Sequence, residues 1–239
     1  MTTLGTLYLV PAPLGDCALP SMLPEDVRLI ANRLNHWVVE NAKTARRILK
    51  AYDPDRVIAE IEMATLNEHT QEAELRPLLA PLLAGKDVGL ISEAGCPGVA
   101  DPGAQLVRLA HEQNIRVIPL VGPSSILLAL MASGASGQRF RFHGYLPTDA
   151  QTRSSRLKEL EGDSRRHQET QLFIETPYRN MALLDALLNT CRPDTLLAVA
   201  CDLTTPTEQI ISRTIASWKK QEKPELGKRP ALFLIYAGH

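Results

Sequence analysis

Aromatic residues make up only 5% of this chain, and no uninterrupted apolar run is longer than Ile126 to Ala132. A run that short falls well below the roughly 20 residues of a membrane-spanning helix, so no transmembrane segment is expected. The opening Met1-Thr2-Thr3-Leu4-Gly5 carries no Lys or Arg of the kind that begins a secretory signal. Cys17, Cys96, Cys191 and Cys201 show neither metal-ligand spacing nor a disulfide framework, which makes a reducing cytoplasm the expected home and predicts no metal site. The phosphate-cradling Gly-x-x-x-x-Gly-Lys-Ser/Thr sequence, His-Glu-x-x-His and Gly-x-Ser-x-Gly are all missing. Glu40 stands roughly where a dinucleotide fold keeps its ribose-binding acid, but the loop before it lacks Gly-x-Gly-x-x-Gly. Pro11 and Pro13 instead remove backbone donors that a pyrophosphate would need, so a polyphosphate ligand is not expected.

What is present organises itself around Val88 to Gly103. An apolar run ending at Ile91 reads as a buried strand, and Gln105 to Ala110 resumes a helical period. Between them stand Gly95, Gly98 and Gly103, Pro97 and Pro102, and the carboxylates Glu93 and Asp101. Glycine permits close approach of backbone to a ligand and proline stiffens the loop, so this segment predicts a rigid binding surface at the carboxyl end of a strand. Upstream, Thr6 to Val10 reads as a strand, Glu25 to Leu34 as a helix, His36 to Val39 as a strand and Lys43 to Ala51 as a basic helix. Arg56 to Ile61 reads as a third strand and Glu68 to Ala84 as a helix punctuated by Pro77 and Pro81. Downstream come helix Leu106 to Gln113, strand Ile115 to Leu120, and a very apolar helix from Ser124-Ser125 to Met131, expected to be buried on most sides.

After Ser133-Gly134-Ala135-Ser136-Gly137 the texture changes. Strands at Phe140 to His143, Gln171 to Ile174, Leu196 to Cys201, Glu208 to Arg213 and Leu232 to Tyr236 come closer together, with a polar basic stretch at Gln151 to His167 and a helix at Asn180 to Leu188. Strict alternation predicts a parallel sheet first, and paired strands predict a mixed sheet second. The expected architecture is therefore two α/β domains, residues 1–121 and 122–239, a division that the 239-residue length accommodates with a core in each.

Although the formal net charge is −1, the charges are segregated. Val27 to Lys50 holds Arg28, Arg33, Lys43, Arg46, Arg47 and Lys50 against Glu40 alone, whereas Asp53 to Arg76 holds seven acids and two arginines. The basic segment is either a solvated face or a site for a polyanion.

Three motifs in order, Gly5 to Gly15 (Gly-Thr-Leu-Tyr-Leu-Val-Pro-Ala-Pro-Leu-Gly), Leu90 to Gly103, and Pro119-Leu120-Val121-Gly122-Pro123-Ser124-Ser125, resemble the tetrapyrrole methylase family of S-adenosylmethionine-dependent methyltransferases. Phe142 to Pro147, Ile174 to Arg179 and Ala200 to Thr204 are similar to motifs of its small-subunit ribosomal RNA (cytidine-2′-O-)-methyltransferase branch. The resemblance implies a homodimer of two-domain chains with S-adenosylmethionine folded into the interdomain cleft. By motif it places the methyl donor against Pro13, Glu93, Gly95, Cys96, Val99, Ser124, Ser125, Ile174, Ala200 and Ala231. Four segments depart from the branch: Pro11-Ala12-Pro13, Glu40-Asn41-Ala42-Lys43, Glu93-Ala94-Gly95-Cys96 and Cys201-Asp202-Leu203-Thr204-Thr205.

In-line methyl transfer needs a nucleophile held near the methyl group and a group to take its proton. Glu40 and Glu93, at the ends of two expected strands, are the candidate catalytic carboxylates. Each would otherwise cap a helix or pair with Arg46 or Lys43. His143 is a third candidate. The expected activity is methylation of a ribose 2′-hydroxyl of ribosomal RNA, with rRNA or the small ribosomal subunit as partner. A tetrapyrrole-type small-molecule acceptor and a cofactor-binding protein without catalysis are the alternatives.

Overall fold

A computed structural model describes residues 3–238 of the chain. The chain divides into two compact units, with the boundary between Ser124 and Ser125.

The first unit carries a five-stranded sheet built from β1 (Thr6–Leu9), β2 (His36–Val39), β3 (Glu62–Thr65), β4 (Val88–Ile91) and β5 (Arg116–Pro119). All pairings are parallel and the order is β3-β2-β4-β1-β5. Helices α1 (Glu25–Arg33), α2 (Ala42–Tyr52), α3 (Glu72–Leu75), α4 (Ala80–Leu83) and α5 (Ala104–Glu112) fill the crossovers. Because side chains alternate along a strand, β1, β2, β4 and β5 each feed two cores. Tyr8, Val10, Trp37, Val39 and Ile91 pack with α1 and α2, and Leu7, Val38, Val88 and Leu90 pack with α3 to α5. The chain moves one way across the sheet from β1 to β3 and back the other way from β3 to β5, which sends its helices to opposite faces.

Arg56 to Ile61 is not a strand. The Arg56 guanidinium is buried and donates to the carbonyl oxygens of Ala31 and Leu34 while lying over the Trp37 ring, so this segment wraps the end of α1 as a 3-10 turn at Ile58–Glu60. The third strand starts at Glu62, where its N–H meets the Asn35 carbonyl.

The second unit holds α6 (Ser125–Ser133), α7 (Ala150–His167), α8 (Asn180–Thr190) and α9 (Ile215–Trp218). Its sheet combines β6 (Phe140–Tyr145), β7 (Thr170–Ile174), β8 (Leu196–Cys201), β9 (Gln209–Thr214) and β10 (Ala231–Tyr236) in the order β6-β7-β10-β8-β9. Only β6 and β7 run parallel, so the sheet is mixed. Phe173 and Phe233, with stacked rings 6.3 Å apart, form a core with Leu157 and Leu160 of α7 and Leu183, Leu184 and Leu187 of α8. Buried Leu172, Ala198 and Leu234 alternate onto the other face, and α6 packs against β8, β9 and β10.

One expectation about helices is corrected, and one segment without an assignment gains one. The α6 helix is not buried on most sides: Ala129, Leu130 and Ser133 are covered, but Leu127 is 51% and Met131 80% exposed, because a helix laid on one sheet face buries a single stripe. The polar stretch Gln151 to His167 is one continuous helix, α7, capped by the Asp149 carboxylate on the Thr152 N–H.

Candidate functional site

Three loops leave the carboxyl ends of β1, β4 and β5, the strand ends where open parallel sheets bind ligands. Backbone hydrogen bonds join the first two: the Ala12 N–H donates to the Gly95 carbonyl at 2.8 Å and the Gly95 N–H to the Ala12 carbonyl at 3.0 Å. Gly95 adopts a φ of 69°, a conformation costly for residues with a Cβ. A Cβ there would already stand 3.4 Å from Leu14 and 3.7 Å from the Pro123 carbonyl. The third loop closes in from the β5 side. Cys96 Sγ donates to the Pro123 carbonyl at 3.4 Å, burial pushes its thiol pKa up, and a side chain at Gly122 would overlap the Pro11 ring. Pro13, Gly95 and Cys96 are thus brought together, with Val99 49% exposed on the following turn.

Glu40 and Glu93 also meet, at the ends of the adjacent strands β2 and β4. The Glu93 N–H donates to Glu40 Oε2 at 3.2 Å, and Glu93 Oε1 accepts the Thr44 hydroxyl at 2.9 Å. Neither acid forms an ion pair with Arg46 or Lys43 among the described residues. The cap of α2 is Asn41, whose Oδ1 accepts the N–H groups of Lys43 and Thr44.

A third carboxylate, not singled out from the sequence, belongs to this group. Burial, then the charge of Glu40 and, more weakly, that of Glu93, lift the Asp101 pKa to about 6 against a stabilising hydrogen bond with Ser92. The sequence shows only its place in a loop dense in proline and glycine, because a neighbourhood of charges assembled from β2 and β4 has no signature in local spacing.

The other candidates lie at the last residue of the first unit or within the second. Ser124 is half-buried where the first unit ends, and Ser125 opens α6. Ile174, Leu232 and Ala200 are register partners on β7, β10 and β8 and share one face at one end of the mixed sheet. Ala231 pairs with Cys201 and its side chain packs on the opposite core, so only its backbone shares that edge. His143 belongs to this unit too. Its Nε2 lies 2.6 Å from Gln171 Oε1, and burial, then Arg156 and Arg141, push its pKa below the ordinary value against the Gln171 hydrogen bond; it is a side chain held in place within this unit. Among the described residues no group of three or more His, Cys, Asp or Glu is arranged to hold a metal ion.

Comparison with known proteins agrees with this arrangement. The family model described as Tetrapyrrole (Corrin/Porphyrin) Methylases matches residues 6–218. The chain is 30% identical over 235 residues to a ribosomal RNA small subunit methyltransferase I of Xylella fastidiosa, covering 98% of this chain and 82% of that protein. It is 29% identical over 238 residues to the protein of the same name from Escherichia coli O157:H7, covering 98% and 78%. The solved structure of the methyltransferase CobJ superposes with a TM-score of 0.63 over 97% of this chain and 94% of that one at 18% identity, a likeness of fold. The family-model match over residues 6–218 and the 30% identity to a relative covered over 82% of its length show that the chain, with its parallel sheet followed by a mixed one, belongs to the tetrapyrrole methylase family.

Proposed function

We propose that this protein transfers a methyl group from S-adenosylmethionine to a ribose 2′-hydroxyl of ribosomal RNA. The observation that carries the reading is the joining of the Pro13 loop to the Glu93–Gly103 turn through Ala12 and Gly95, beside three clustered carboxylates, in a chain of this family. The names of its relatives in Xylella fastidiosa and Escherichia coli support the rRNA acceptor.

The residues suit the donor. A sulfonium cation joined to an adenosine is held by close backbone, small apolar walls and nearby negative charge. In the first unit Pro13, Gly95, Cys96 and Val99 supply the first and Glu93 the third, with Ser124 at its end; in the second unit Ile174 and Ala200 supply the second, with Ser125 and the Ala231 backbone. When bound, S-adenosylmethionine supplies the electrophilic methyl group. Glu40 and Glu93 orient the acceptor hydroxyl, and Asp101 takes its proton, since a base is most effective when its pKa lies near the working pH. The working form is a cytoplasmic homodimer, with Leu127 and Met131 of α6 offering apolar surface to a second copy.

Calorimetry should register S-adenosylmethionine or its demethylated product at low-micromolar affinity, about −8 kcal/mol. Mass spectrometry of rRNA nucleosides from a deletion strain should lack one 2′-O-methylated nucleoside that the purified protein restores. No binding of either cofactor form would remove the donor, and an unchanged nucleoside profile would remove the rRNA acceptor.

A further inference from the structure

We propose that the outer face of α2 is the track on which the RNA backbone lies, and that α7, although richer in arginine, is not. The inference rests on the rRNA reading above. Lys43, Arg46, Arg47 and Lys50 follow the spacing i, i+3, i+4, i+7, which aligns them in one stripe, and all four are exposed. The opposite stripe, Ala45, Ile48, Leu49 and Tyr52, repeats the same spacing into the core. Among the described residues none of the four cations forms an ion pair. The arginines of α7 are differently placed. Arg153 is buried, Arg156 pairs with Glu159 at 2.9 Å, Arg165 with Asp194 at 3.2 Å, and Arg166 with Asp163 at 3.9 Å. A paired cation offers little net field to a phosphate, so a large count of arginines on α7 does not make a polyanion site.

The α2 helix is fastened to the candidate site at both ends. Thr44 in its first turn donates to Glu93, and the buried Tyr52 hydroxyl in its last turn donates to the Pro11 carbonyl of the β1 loop. From that anchor the cations extend for about 10 Å at 1.5 Å per residue. Carboxylates at the amino end and cations along the length make a polar arrangement. Phosphates are repelled by Glu40, Glu93 and Asp101 and attracted along the helix, while a neutral sugar hydroxyl suffers no repulsion at the acids. A lipid surface is the wrong partner for this stripe, because membrane-binding basic helices keep their apolar face outward and here that face is in the core.

The test uses the full-length protein, the triple variant Arg46→Ala/Arg47→Ala/Lys50→Ala and the control Arg165→Ala/Arg166→Ala. Binding of a short cytidine-containing single-stranded RNA is measured across a salt series, alongside melting temperature, S-adenosylmethionine affinity and methylation of rRNA from a deletion strain. The α2 variant should fold and bind S-adenosylmethionine as the parent does, raise KM for rRNA, and flatten the dependence of log K on log salt by about 2, at ~0.7 for each phosphate no longer neutralised. The control should keep the parental slope. An unchanged slope and KM in the α2 variant, an equal weakening in the control, or parental binding to anionic phospholipid vesicles or an acidic peptide in place of RNA would overturn the track. If the parent methylates rRNA and the α2 variant does so with the same KM, the activity stands and the track falls. If the parent neither binds RNA nor methylates rRNA, both fall.

Discussion

Asp101 holds its proton more tightly than an ordinary carboxylic acid because burial and the charges of Glu40 and Glu93 oppose its ionisation. Its folded-state pKa of about 6 lies above the ordinary value of 3.8, so the folded protein binds a proton that the unfolded chain has released between those values. Stability therefore falls as pH rises through that window and stays at the lower level above it. Asp101→Asn, which removes the charge and keeps the shape, should raise the melting temperature at pH 8 and leave it nearly unchanged near pH 4. Each kcal/mol recovered is worth about 2 to 4 °C in a domain of this size. If Asp101 is the base, the parental rate should climb with pH through about 6 and the variant should lose about 10²- to 10⁴-fold in kcat. A stabilised variant with unimpaired kcat would mean that the cluster stores strain without taking the proton.

Elements here do two tasks at once, and α2 shows how. Its amphipathic spacing is readable in the sequence, with the basic residues and the apolar stripe each repeating every three or four positions. What spacing leaves open is the connection to the site, made by Asn41 at the cap, Thr44 on Glu93 and Tyr52 on Pro11. Asn41→Ala should cost about 1 kcal/mol of stability, the usual value for losing such a cap, measurable by urea denaturation. It should also loosen the bond from Thr44 to Glu93 and raise KM for rRNA more than that modest loss of stability alone would. The β5 loop makes a second element-scale case. Gly122→Ala forces a side chain into the Pro11 ring, which should cost about 1 to 3 kcal/mol and weaken S-adenosylmethionine binding, because it pushes the β5 loop away from the β1 loop and strains the Cys96–Pro123 bond that ties it to the β4 loop.

At the scale of the whole molecule, a ligand that binds only the folded chain must stabilise it by mass action. S-adenosylmethionine at 100 times its dissociation constant should add about 2.7 kcal/mol, seen as a concentration-dependent rise in melting temperature. The order of elements, the all-parallel and mixed sheets, and the loops at the ends of β1, β4 and β5 are legible because alternating apolar runs and clustered glycine and proline are local signals. The segment from Arg56 to Ile61 looks like a strand because Val57, Ile58 and Ile61 are β-branched, while the Arg56 guanidinium finds its partners in two carbonyls at the end of α1. The apolar helix α6 looks buried because composition reports how much apolar surface an element has and not how many neighbours cover it. Local pattern by itself determined most of the strands, helices and rigid loops, and the motifs of Gly5 to Gly15, Leu90 to Gly103 and Pro119 to Ser125 carried the resemblance to the family. Which carboxylates meet, which arginines are already paired and which helix keeps its cations out of ion pairs were decided only by the tertiary structure, because charge interactions depend on distances in space that sequence separation does not encode.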